Sequence, residues 1–322
     1  MKAISEYTSD VETLLRDIEL PGEKFAGLTD PIRYALSAGG KRLRPVMTLM
    51  AAEAFGGDAM RAADAAVGLE IFHNFTLLHD DVMDKSEVRR GRPSVHARFG
   101  VNSAILSGDT MLTLASIYIN KVEDLQLRRV NDIFNNMALD VYKGQQLDMD
   151  FETRDDVTLA DYIEMISLKT GALLGAALQI GAVIGGASDK DAGKMYEFGM
   201  NVGLAFQIQD DWLDTFGDSI TFGKPIGGDI ANNKKTYLRL AVGESSGADA
   251  GALKMAMTIP DREMKIKTVT RIYEKAGVGD MCRKAVDAYM SKALGALRST
   301  SLDDDRKDTF RRLAEKLVGR KK

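Results

Sequence analysis

Phe75-Thr76-Leu77-Leu78-His79-Asp80-Asp81-Val82-Met83-Asp84 runs an apolar helical pattern into three aspartates, and Ala205-Phe206-Gln207-Ile208-Gln209-Asp210-Asp211-Trp212-Leu213-Asp214 repeats the device later in the chain. Unpaired carboxylates are costly to bury, so six acids embedded in core-like sequence call for a cationic partner. On a helix turning about 100° per residue, Asp80, Asp81 and Asp84 fall within an arc of roughly 100°, and the second triplet shares that geometry. Each helix thus offers one acidic face. Hard divalent cations take oxygen ligands, and magnesium bridges one or two protein carboxylates to phosphates in preference to an all-protein cage. The pair of triplets reads as a magnesium–diphosphate site.

Context, not the string, carries that reading. With aspartate at about a tenth of the residues, Asp-Asp-x-x-Asp arises by chance roughly 0.3 times in such a chain. Asp304-Asp305-Arg306-Lys307-Asp308 is a third match. It lies in the polar stretch from Ser301 to Arg312, where a solvated helix start accounts for its acids. An EF-hand fails, because Trp212 stands where the loop needs its third-position ligand and Thr221 where it needs its closing Glu.

Outward from the triplets, apolar residues spaced near i, i+3, i+4, i+7 recur over 45–55, 62–84, 101–119, 130–150, 159–184, 191–215 and 265–295, with almost no alternating strand pattern. The 322 residues are 45% hydrophobic and carry only six prolines. Glycine and proline punctuate at 21–22, 39–40, 56–57, 91–93, 185–186 and 223–228, never at the length of a flexible linker. The expectation is an all-α fold with residues 1–322 as a single domain. A net charge of −4 argues against a nucleic-acid partner. The single cysteine, Cys282, excludes an intramolecular disulfide and fits a reducing cytoplasm. The N-terminal residues lack the apolar core of a signal peptide. The uncharged run Gly171–Gly186 is short for a bilayer and rich in small residues, which suits close helix packing better than membrane insertion.

Positive charge is local. Gly39-Gly40-Lys41-Arg42-Leu43-Arg44-Pro45 sets two glycines before three cations and a helix-starting proline, a loop able to wrap a phosphate. Arg89 and Arg90 follow the first triplet closely enough to grip the anion that its metals would bind. Lys169-Thr170-Gly171 interrupts an apolar run with a lysine that needs a partner, and Gly144-Gln145-Gln146-Leu147-Asp148 puts an amide and a carboxylate on another. Gly223-Lys224-Pro225-Ile226-Gly227-Gly228-Asp229, followed by Asn232-Asn233-Lys234-Lys235, has the composition of a mobile lid or an ordinary loop. His73 and His96 lack the partner spacing of a zinc site. The basic end from Arg311 reads as a solvated terminal helix.

In order from Lys41 to Lys235, these features together resemble the trans-isoprenyl diphosphate synthases. The resemblance implies antiparallel helices of the isoprenoid synthase type around a deep central cavity, the aspartate helices facing each other at its mouth, in a homodimer. It implies three magnesium ions, with Asp80, Asp84 and Asp214 as ligands and Asp81, Asp148, Asp210 and Asp211 ligating or supporting them. Arg89, Lys169, Gln207, Lys224 and Lys234 would hold the allylic diphosphate; Lys41, Arg44, His73 and Arg90 would hold isopentenyl diphosphate, with Gln145 also at the substrates. Lys169, Thr170 and Gln207 would offer negative dipole ends to the carbocation. Phe75, with small Thr76 beside it, would form the cavity floor and set a short product: geranylgeranyl diphosphate, with farnesyl diphosphate or a longer chain as alternatives. A terpene cyclase shares the first triplet and magnesium, but needs neither the second triplet nor Lys41, Arg44 and Arg90. A non-catalytic subunit would have lost acids from one triplet, and both are intact.

Overall fold

Residues 1–217, 226–244 and 248–319 are described by the computed structural model. The periodic runs become long helices, as spacing of three and four demands. Two compact units result: Met1–Asn136 with Ala176–Tyr196, and Met137–Gly175 with Glu197–Lys322.

The first unit contains α1 (Ile4–Arg16), α2 (Ala26–Leu36), α3 (Leu43–Gly56), α4 (Ala63–Met83), α5 (Val95–Phe99) and α6 (Val101–Ile119). α3 is apolar on all sides and is buried accordingly, Val46 through Ala52 each showing at most 1% exposure. Its glycine-spaced partner is the end of α9 (Ala172–Ile184). A methyl group on Gly181 would collide with the Thr48 carbonyl, and one on Gly185 would lie 2.6 Å from that of Ala52. The same economy joins α4 to α6: a Cβ on Gly68 would sit 2.9 Å from the Ala115 carbonyl. Small residues along 171–186 therefore serve backbone contact. The run Leu159–Ile184 is long and apolar enough to cross a membrane, and 72% of its apolar window is buried in the protein.

Between α4 and α5 lies a feature that the strand pattern does not announce. Val88–Arg89 (β1) pairs antiparallel with Arg92–Pro93 (β2). Two residues per strand are too few for alternation to show. The turn puts Arg90 at φ 53° and Gly91 at φ 73°. Positive φ at both central residues is the signature of the type I′ hairpin turn, and it fixes where Arg89 and Arg90 stand.

The second unit holds α8 (Leu159–Ile166), a π-helical turn (Ser167–Gly171), most of α10 (Asp189–Phe216), α11 (Gly228–Ala231), α12 (Tyr237–Gly243), α13 (Ala248–Ala256), α14 (Arg262–Lys275), α15 (Val278–Arg298) and α16 (Asp304–Val318). α7 (Asp124–Thr153) is shared between the units. The expected run 159–184 is thus not one regular helix. Its wide turn coincides with Lys169-Thr170-Gly171. The run 265–295 is likewise two helices, broken where Gly277 takes φ 67°. The terminal helix α16 departs from expectation too: it buries Phe310, Leu313, Ala314, Leu317 and Val318, so it is solvated on one face only. Its start is as read, with Asp303 accepting a hydrogen bond from the Arg306 amide and Asp308 paired with Arg311 and Arg312.

Candidate active site

In the first unit the cationic loop and the first triplet are built separately. Of the loop's three cations only Lys41 is exposed. Arg42 turns inward at φ 46°, a left-handed conformation costly for a residue with a Cβ. Its guanidinium donates to Glu12 at 2.8 Å, to Glu70 at 2.8 Å and to the Leu36 carbonyl at 2.7 Å. Asn74 holds the other side of Glu70, donating to Oε1 at 3.1 Å. Arg42 is therefore the peg of the loop and not part of its phosphate-facing set, because its donors are spent on α1, α2 and α4.

The peg leaves Arg44 beside His73, Nη1 to Nε2 at 3.1 Å. Arg44 Nε is buried with no hydrogen-bond partner among the described residues. Burial lowers the Arg44 pKa to about 10, and burial followed by the charges of Arg44, Arg90, Arg89 and Arg42 keeps His73 well below the usual imidazole range. A neutral imidazole next to an under-satisfied guanidinium is what an absent anion would leave behind. Arg90 arrives from the hairpin, donating to the Gly39 carbonyl, and its guanidinium lies against Gly40, where a Cβ would be 2.8 Å from Nη1. Gly40 is favoured there by its φ of 135°, which residues with a Cβ rarely adopt.

At the end of α4, Arg89 grips the first triplet: Nη2 and Nε reach Asp81 Oδ1 at 2.6 and 2.9 Å, and Nη2 reaches Asp80 Oδ2 at 3.2 Å. Asp81 is buried, which raises its pKa against the lowering effect of Arg89. Asp84 is exposed at the C-cap. The structure so divides the triplet, with Asp81 committed to Arg89 and Asp84 at the surface. Phe75, 6% exposed, packs edge-on to His79 at 4.8 Å and tilted against Phe72 at 5.6 Å, while half-buried Thr76 donates to the His73 carbonyl.

In the second unit, Lys169 finds the partner its position demands: Nζ to Asp148 Oδ2 is 2.6 Å. Gln145 sits half-buried one turn before Asp148 on α7, beside Gly144, whose missing Cβ would collide with the Lys169 backbone. Thr170 donates to Gln207 Oε1 at 3.2 Å, and Gln207 donates to Asp211 Oδ1 at 3.3 Å. The other Asp211 oxygen accepts from the Tyr162 hydroxyl at 2.6 Å and the Tyr237 amide at 2.9 Å. Both oxygens of Asp211 thus accept from protein donors. Asp210 stays half-buried, and Asp214 is buried, its Oδ2 accepting from the Asp229 amide at 3.0 Å.

The sequence gives no signal for Tyr162 or Tyr237, and it offers Asp229 only as the end of a loop. Asp229 brings a fourth carboxylate to the second triplet, and burial, then the charges of Asp214 and Asp211, raises its pKa to about 7. Burial raises Asp211 to about 6. Crowded carboxylates with raised pKa values are short of positive charge. Yet among the described residues no three Asp, Glu, His or Cys side chains converge into a cage able to hold an ion alone. Acids in that condition suit a hard cation that completes its shell with phosphate oxygens. Lys234 is exposed after α11, and Lys224 lies outside the described residues. Lys235, its neighbour, turns back to the Phe151 carbonyl.

The protein family described as Polyprenyl synthetase matches residues 26–276 of this chain. A geranylgeranyl diphosphate synthase of Methanosarcina mazei is 39% identical over 269 residues, covering 83% of this chain and 83% of that protein. A geranylfarnesyl diphosphate synthase of Natronomonas pharaonis is 36% identical over 308 residues, or 90% of this chain and 89% of its own. A crystal structure of a geranylgeranyl pyrophosphate synthase, 42% identical, superposes with a TM-score of 0.94 over 100% of both chains.

Proposed function

The chain belongs to the polyprenyl synthetase family and is a prenyltransferase, and from that premise we propose that it condenses isopentenyl diphosphate with an allylic diphosphate to give geranylgeranyl diphosphate. The observation that carries the reading is Arg44, whose buried Nε has no hydrogen-bond partner among the described residues, beside a neutral imidazole and within the field of Arg90. A cyclase, which ionises one diphosphate, has no use for a second anion-binding cluster. A condensing enzyme requires one.

In this reading Lys41, Arg44, His73 and Arg90 hold isopentenyl diphosphate, and Arg89, Lys169, Gln207, Lys224 and Lys234 hold the allylic diphosphate, with Gln145 supporting them. Asp80, Asp84, Asp210 and Asp214 would bind magnesium, three ions in all, with Asp81, Asp148 and Asp211 in support. Bound magnesium supplies charge neutralisation at the leaving diphosphate. The allylic C–O bond breaks, the isopentenyl double bond attacks the cation, and the proton then lost goes to the departing diphosphate. Lys169, Thr170 and Gln207 turn carbonyl and hydroxyl oxygens to the cation, and the apolar helices exclude water from it. Phe75 limits chain length. We place the working protein in the cytoplasm as a homodimer.

The test is incubation of the pure protein with magnesium, isopentenyl diphosphate and each of dimethylallyl, geranyl and farnesyl diphosphate, followed by sizing of the dephosphorylated products. A twenty-carbon alcohol is expected. Hydrocarbon products, or no elongation from any starter, would refute the assignment.

A further inference from the structure

The amide of Gln207 can face either way, and only its surroundings decide which end is presented. Asp211 Oδ1 accepts and cannot donate, so the NH2 group faces it at 3.3 Å. The carbonyl end then faces Thr170, whose hydroxyl donates to it at 3.2 Å. The direction of the Gln207 dipole thus depends on where Asp211 stands. Asp211 is set in turn by Tyr162, whose fully enclosed hydroxyl makes the shortest contact in the group, 2.6 Å to Oδ2. Tyr162 is 2% exposed and leans edge-on against Tyr237, ring centroids 6.4 Å apart, so its ring has little freedom.

The connections close into a ring between two elements. Tyr162 lies on α8, immediately before the π turn, and Thr170 lies on that turn; Asp211 and Gln207 lie one helical turn apart on α10. Tyr237, on α12, adds its amide to the Asp211 oxygen that Tyr162 holds, and no member can rotate without breaking a contact of the next. Both Asp211 oxygens accept from protein donors.

Resting on the prenyltransferase reading above, we infer that Tyr162 is a positioning residue for the condensation: through Asp211 it fixes the Gln207 amide with its oxygen on the Thr170 side, where the allylic cation forms. The middle acid of the second triplet thus serves orientation.

Tyr162→Phe removes the hydroxyl and keeps the ring. The expected result is a kcat lowered on the order of tenfold, the size of one lost hydrogen bond to a charged acceptor, with KM for both diphosphates and the half-saturating magnesium concentration unchanged. Gln207→Leu should lower kcat as well, and the double variant should be no slower than Gln207→Leu alone, because the tyrosine acts through the glutamine. Multiplying losses in the double variant, an unaltered kcat in Tyr162→Phe, or a shifted magnesium requirement would each overturn the inference. If Tyr162→Phe gives no cooperative melt, Asp211→Asn takes its place in the same cycle and is read by the coupling of kcat alone, since Asp211 is itself placed in support of the magnesium: losses that do not multiply with Gln207→Leu uphold the inference, and multiplying losses overturn it. Failure of the wild-type protein to elongate any starter would reject the underlying reading, whereas an active wild type with an uncoupled Tyr162 rejects this inference alone.

Discussion

At Phe75 a single ring is asked to end the product, and its packing says how far its removal should reach. The ring is wedged between Phe72 and His79, and Phe72 is itself held edge-on by Phe134 at 5.4 Å. Phe75→Ala should therefore add one isoprene unit and stop, since Phe72 stands three residues deeper, about 4.5 Å along the axis. Chromatography of the products decides: an unchanged twenty-carbon chain rejects the floor, and unlimited lengthening rejects Phe72 as the next barrier. His73 makes a prediction of a different kind. Its folded pKa is depressed, so below an unfolded value of about 6.5 the unfolded chain takes up a proton that the native site refuses. Stability contributed by the neutral form is present above that pH and is lost as pH falls towards the folded value, by up to about 1.4 kcal/mol per pH unit. Denaturant titrations at pH 7 and pH 5 should show His73→Gln losing less than the wild type over that interval. Equal losses would place the imidazole in an ordinary environment.

Glycines show at the scale of the element how much of the fold can be read from sequence. Gly181 and Gly193 both sit within helices and look alike in a hydropathy profile. The first meets the Thr48 backbone wherever a Cβ would go, while the second has nothing within 4 Å. Gly181→Ala should cost about 1–3 kcal/mol by overpacking against a carbonyl that cannot retreat; Gly193→Ala should stabilise by roughly 0.5–1 kcal/mol through helix propensity. Opposite shifts in denaturant midpoint check both, and shifts of the same sign reject this account of the helix contacts. The helices themselves are legible because burial of one face imposes a period, as in 62–84 against the observed Ala63–Met83. The all-α class and the two acid-bearing helices follow from that alone. Partnerships are not legible, because Tyr162 and Asp211 stand 49 residues apart and nothing local marks either as the other's partner. Asp229 hides for a related reason: one acid after a glycine pair is common, and its meaning comes only from burial beside Asp214. The loop cations show the limit most plainly, since Lys41, Arg42 and Arg44 are chemically similar in sequence and only Arg42 has Glu12, Glu70 and Leu36 waiting for it.

For the molecule as a whole, the sum of charges conceals local imbalances of opposite sign. A net charge of −4 is modest for 322 residues. Yet Arg44 and Arg90 in the first unit lie where burial lowers their pKa values and, among the described residues, no carboxylate pairs with Arg44, while Asp229 in the second is held at about 7 by burial and its acidic neighbours. A diphosphate added alone meets the acids without compensation, and magnesium added alone meets them without the phosphate oxygens that would complete its shell. The proposed condensation needs magnesium and diphosphate together, so their stabilisation should exceed the sum of the separate effects. At a hundred times the dissociation constant a ligand adds about 2.7 kcal/mol, which for a protein of this size raises the apparent melting temperature by roughly 5 °C. Thermal melts with magnesium, with inorganic pyrophosphate and with both should show that gain only for the pair, and a chelator should abolish it. Asp80→Asn and Asp214→Asn should each remove most of the paired effect if, as proposed, each triplet supplies oxygen ligands to the magnesium. A full shift with pyrophosphate alone would mean that the guanidinium and ammonium groups suffice, and the carboxylates would then need another explanation.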